Sequence, residues 1–211
     1  MTPELEAVWN ELLERASRPP VAERARLLRE AFAARCGRFA PDHPAAAARD
    51  AAAWEDAIVR GGLARALAPE LSDPAERETA LGFERAQRGI FVFEEIEEQL
   101  IARDLWAGAE FLVLGRDSTG RELIAALRRS GAIICQARLV AQNPGCAVLP
   151  GSIFHPADAR DAIDEILALA RGSRLSTDDV LDGLLRMEHT FQTMSRAKID
   201  YAYRNELLAG R

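Results

Sequence analysis

The chain has 211 residues, 48% hydrophobic and 28% charged, with 33 acidic against 27 basic side chains and a formal net charge of −6. That composition excludes a disordered polyelectrolyte and leaves length for one well-buried core or two small ones. No apolar run approaches the roughly 20 residues that cross a bilayer, and MTPELEAVWNELLER carries acids where a signal peptide carries bases, so the expectation is a cytoplasmic protein without a membrane role.

Thr2-Pro3 reads as an N-cap with proline at the first helical position, and Leu5, Val8, Trp9, Leu12 and Leu13 then share one helical face to about Ala16. After Pro20, Val21, Ala25, Leu28 and Phe32 recur at helical spacing until Gly37. Asp42 or His43 can cap an alanine-rich helix from about Pro44 to Arg60, which Gly61 and Gly62 end. Asp73-Pro74-Ala75-Glu76 opens another helix through Leu81 and Phe83. The aromatics Trp9, Phe32, Phe39, Trp54 and Phe83 are read as core.

From Gly89 the period changes to that of strands. GIFVFEEI, EQLIARDL and AEFLVLG read as a meander, and AIICQARLVA and CAVLPGSIF as two more strands around the turn Asn143-Pro144-Gly145. Five short antiparallel strands close most simply as a small barrel, because closure removes exposed edges; an oligonucleotide-binding type is one candidate. Pro156 then starts a helix with stripe Ile163, Ile166, Leu167 and Ala170, ended by Gly172. Ser176 or Thr177 starts a last one, with stripe Val180, Leu184, Met187, Phe191 and Met194. The expected fold is α+β: a helical subdomain (1–88), a five-stranded antiparallel barrel-like sheet (89–155), and C-terminal helices with a basic tail (156–211).

Arg103-Asp104-Leu105-Trp106-Ala107-Gly108 with Phe111 and Val113, Ala137-Arg138-Leu139-Val140, and Leu149-Pro150-Gly151 together resemble a strand pattern of uncharacterised bacterial proteins. The resemblance spans about residues 89–155, implies the barrel, and transfers no activity.

Chemical motifs fail on inspection. Gly115 to Glu122 has the glycine spacing of a phosphate loop, but Arg121 and Glu122 stand where lysine and serine or threonine are needed. Asp117-Ser118-Thr119-Gly120 carries one residue too many for an aspartic protease motif. Glu94, Glu95, Glu97 and Glu98 read as a solvated hairpin end, since successive strand residues point to opposite faces. Cys146, His155 and Asp158 are the nearest thiol, imidazole and carboxylate in sequence and read as structural, with His155 as a helix cap. Cys36, Cys135 and Cys146 form no C-x-x-C pair, so reduced thiols are expected, with neither disulfide nor zinc. No catalytic residue, metal ligand or cofactor is assigned.

The basic residues are 26 arginines and a single lysine, Lys198, a usage typical of GC-rich bacterial codons. Each third of the chain nets −2. The positive footprint of a duplex-binding protein is missing, which argues against nucleic acid as the partner. The exception is the tail, where Arg196, Lys198, Arg204 and Arg211 surround Tyr201 and Tyr203. With the apolar residues Met187, Phe191 and Met194 just before it, this segment has the make-up of an interface: an apolar anchor with a basic, aromatic rim. The leading expectation is therefore a non-catalytic binding or regulatory protein that recognises a protein partner, or a second copy of itself, through Met187, Phe191, Met194, Arg196, Lys198, Tyr201, Tyr203 and Arg204. The alternatives are an enzyme with a site not visible in the sequence and a nucleic-acid-associated barrel.

Overall fold

The structure is a computed structural model that describes residues 1–114, 123–125, 133–194, 196 and 198–208. Gly115 to Glu122, with the phosphate-loop look-alike and Arg121, lies outside the described residues.

The first helix, α1 (Pro3–Ala16), begins where Thr2 Oγ1 accepts from the Leu5 amide. Its spacing puts Leu5, Val8, Trp9 and Leu12 on one buried face, and Trp9 meets Phe83 edge to face at 5.2 Å. Each such side chain contributes about 1.5–3 kcal/mol on burial, so Leu12→Ala would cost about 2–5 kcal/mol. The helices α2 (Ala22–Cys36) and α3 (Ala46–Ile58) follow, with α3 starting at Ala46 behind Ala45 and not at a capping Asp42 or His43. A short α4 (Leu63–Leu67), which no capping signal announces, precedes α5 (Pro74–Gly82), where Asp73 accepts from the Ala75 amide.

Six strands follow: β1 (Gln87–Ile96), β2 (Gln99–Asp104), β3 (Glu110–Val113), β4 (Ile133–Gln142), β5 (Gly145–Val148) and β6 (Ile153–His155). The run CAVLPGSIF is thus two strands, because Leu149 to Ser152 leave the ladder. Five strands close in the order β1-β2-β3-β5-β4-β1, and β6 adds to β4 outside the ring. Every pairing is antiparallel except β3 with β5, where Val113 faces Cys146 in parallel. Closing the five strands on one another removes the exposed edges that an open sheet of this size would present.

Alternation assigns two jobs to β1 and β4. Phe91, Phe93, Ile133, Cys135, Ala137 and Leu139 fill the barrel with Leu100, Val113 and Val148. Ile90, Val92 and Ile134 face outward against α6 (Arg160–Arg171) and α7 (Thr177–Thr193), whose buried stripes include Ile163, Ile166, Leu167, Val180 and Leu184. The N-terminal helices cover the neighbouring outer residues Val140, Ala147 and Leu149. Helices therefore wrap β1, β4 and β5, and among the described residues none covers the outer face of β2 and β3. A capping box at Ser176 and Asp179 starts α7, and a short α8 (Ile199–Ala202) brings the chain back onto it.

Candidate functional site

The C-terminal surface proposed from sequence divides in two. Met187 is fully buried, and Tyr203 is buried with its hydroxyl 2.8 Å from His155 Nδ1. Both belong to the core in this structure and are unavailable to a partner. His155 is accordingly a buried ring held by Tyr203 and not a helix cap; Pro156 stands before the next turn. Arg186 clamps the chain end by donating to the Leu207 and Leu208 carbonyls, and at Gly183 a Cβ would come 2.8 Å from Leu208.

The other members remain at the surface. Met194 is 42% and Tyr201 49% exposed, Phe191 is half-buried, and the Arg204 guanidinium lies 4.6 Å from the Tyr201 ring centre. Arg196, Lys198 and Arg204 are exposed and make no ion pair among the described residues. At Arg196 the backbone has φ 62°, a left-handed turn between α7 and α8. The patch is thus two exposed apolar side chains and three unpaired cations resting on an anchored base.

Sequence reasoning missed a buried ionic network where α2, α3 and α7 meet the barrel. From β1 and β4, Arg88 and Arg138 point outward into the helices. Arg88 reaches Asp182 Oδ1 at 2.7 Å and Arg138 reaches Asp56 Oδ1 at 2.8 Å. Arg35 joins them by bonding Asp56 at 2.6 Å and Asp182 at 2.8 Å. Despite burial, these cations hold the Asp182 carboxyl below its usual range. Cys36 donates to Asp182 at 3.4 Å, and burial with that neighbouring charge pushes its thiol up to about 12. It is no nucleophile.

Beside this network Glu55 is fully enclosed and accepts from the Gly151 amide. Burial pushes its carboxyl up to about 7, against the pull of Arg138 and Arg88. Gly151 must be glycine, since a Cβ would lie 2.6 Å from Ala52 Cα. Gln136 and Arg88 Nη2 line the same small void as Glu55, and neither the Gln136 amide nor that nitrogen has a protein partner among the described residues. The void holds about 10 Å³, so nothing larger than a solvent molecule fits. Perturbed groups gather here, yet the geometry joins elements and offers no substrate room.

The open barrel face is acidic. Glu94 and Glu110 both pair with Arg103, and the β1–β2 turn adds Glu97 and Glu98, each at positive φ. A phosphodiester approaching this face would meet carboxylates. Cys146 sits half-buried in β5 with its thiol pushed up by burial, and His155 commits its Nδ1 to Tyr203, so the thiol and imidazole nearest in sequence show no activation.

Among the described residues no three His, Cys, Asp or Glu side chains are placed to hold a metal ion, and no helix is long and apolar enough to cross a membrane. No family model, curated protein or solved structure matches the chain.

Proposed function

We propose that this chain is a binding protein that recognises an acidic segment of a protein partner through Met194, Arg196, Lys198, Tyr201 and Arg204. The observation that carries this reading is the exposed Tyr201–Arg204 pair, with no carboxylate among the described residues bonded to that guanidinium. Arginine and tyrosine in this arrangement offer forked donors and a flat apolar face, the chemistry of interface anchors. Met187, Tyr203 and the Arg186 clamp hold the base beneath, so the surface is preorganised and loses little entropy on docking.

The double variant Tyr201→Ala/Arg204→Ala tests the reading by quantitative capture from host extract and by binding to an aspartate- and glutamate-rich peptide. Both side chains are exposed, so the melting temperature is expected to stay within about 2 °C of the parent. Loss of peptide binding and of specific captured proteins supports the reading. A folded double variant that retains every partner overturns it, and attention then moves to an enzymatic role.

A further inference from the structure

We infer that the acidic segment taken by the C-terminal surface is the β1–β2 hairpin of a second copy of this chain, a proposal that rests on that surface being a binding face. Ile96 and Gln99 are the last pair of the ladder, so Glu97 and Glu98 form a two-residue tip. Both are exposed, and neither has an ion pair among the described residues. Ile96 has the outward parity of Ile90 and Val92, but where helices cover those two it is 46% exposed. The tip thus presents two carboxylates beside one apolar side chain.

The C-terminal surface is its complement. Arg196, Lys198 and Arg204 are exposed cations without an ion pair among the described residues, and Met194 and Tyr201 lie exposed in the same stretch of chain. The carboxylates match the cations, and Ile96 matches Met194 and the Tyr201 ring, as a charged rim surrounds an apolar contact. Sign decides the symmetry. A surface of cations repels its own copy, and so does a tip of carboxylates, so neither face pairs with itself. The contact joins unlike faces, which two copies can make reciprocally as a dimer or successive copies can repeat as a ring or chain.

The backbone on both sides fits this role. Glu97, Glu98 and Arg196 have φ of 50°, 65° and 62°, and they are the non-glycine residues at positive φ among the described residues. A two-residue hairpin turn with positive φ at both positions favours asparagine followed by glycine, so two glutamates keep their charge there at a conformational cost. A tip of this size buries little area. The contact is therefore weak, sensitive to salt and formed at high protein concentration.

Sedimentation velocity on the full chain, from about 10 μM to about 1 mM at low and at high salt, tests the proposal. The parent's sedimentation coefficient is expected to rise with concentration at low salt and to fall back at high salt. Glu97→Asn/Glu98→Gly removes both carboxylates while installing the favoured turn pair, so the hairpin is kept, and association should weaken about tenfold or more. Tyr201→Ala/Arg204→Ala should lose association likewise. An equimolar mixture of the two variants should then form a one-to-one complex, because each supplies the face that the other lacks. A hairpin variant that associates as the parent does, or a mixture that stays monomeric, overturns the proposal. A monomeric parent that still binds the aspartate- and glutamate-rich peptide through Tyr201 and Arg204 overturns the hairpin as occupant and leaves the binding face standing. A parent that neither associates nor binds the peptide overturns both.

Discussion

Tyr201 and Tyr203 stand two residues apart in one short stretch, and the fold gives them opposite environments. The α8 turn carries Tyr203 inward to His155, while Tyr201 faces solvent beneath Arg204. Burial drives the Tyr203 hydroxyl well above its usual range, so it is a neutral donor, and the neutral imidazole accepts at Nδ1. His155 Nε2 has no partner among the described residues. Tyr203→Phe would therefore leave the ring without either bond, at a cost of about 1–3 kcal/mol in urea denaturation. Capture through Tyr201 should persist in that variant. A Tyr203→Phe protein as stable as the parent would show that the bond contributes nothing to the fold.

At the scale of elements, the helices are fixed to the barrel by charge as well as by apolar packing. Asp182 on α7 bonds Arg35 on α2 and Arg88 on β1, and Asp56 on α3 bonds Arg35 and Arg138 on β4. Removing one member strands a buried charge, so Asp182→Asn should lower stability by about 3 kcal/mol or more. Replacing the pair together, as Arg88→Met/Asp182→Leu, should recover most of that loss, because no charge is then left uncompensated. Chemical denaturation of the three proteins checks both expectations, and equal destabilisation by the single and double changes would place the effect in packing. The network also shows where sequence reading fails. Arg35 and Asp56 resemble the solvated face of amphipathic helices, and partners such as Arg138 and Asp182 are separated from them by scores of residues. Nothing local marks them as buried.

At the scale of the whole molecule, two enclosed groups, Glu55 and His155, pull stability against pH in opposite directions. Glu55 holds its proton up to about 7 in the folded protein, against an ordinary value of 4.5, and it faces Arg138, Arg88, Asp56 and Cys135. Between those values the folded state binds more protons, so this group makes stability fall as pH rises through the window. His155, lowered by burial and by Arg49 to about 3 from 6.5, binds fewer protons when folded, so its contribution is lost as pH falls from about 6.5 toward 3. Glu55→Gln keeps an acceptor for the Gly151 amide and removes the charging cost. It should raise stability on the order of 2 kcal/mol at pH 8 and change little at pH 4. Thermal melts across that range decide the matter, and a variant less stable than the parent at pH 8 would show Glu55 to be a favourable carboxylate.

The sequence by itself determined the α+β class and most of the elements, though not α4 or the separation of β5 from β6. Thr2, Asp73 and Ser176 cap helices by short-range bonds, and the alternation in β1 and β4 marks strands, since both signals act within a few residues. Met194, Tyr201 and Arg204 lie close in the chain, and all three are exposed. Only the tertiary structure decided that β3 closes on β5 in parallel, that β6 leaves the barrel, and that Met187 and Tyr203 belong to the core. The same holds for the Glu55 void and the ionic network around Asp56 and Asp182. Each depends on which faces meet across long loops, and a face is assigned by the neighbour that covers it, not by the residues that compose it.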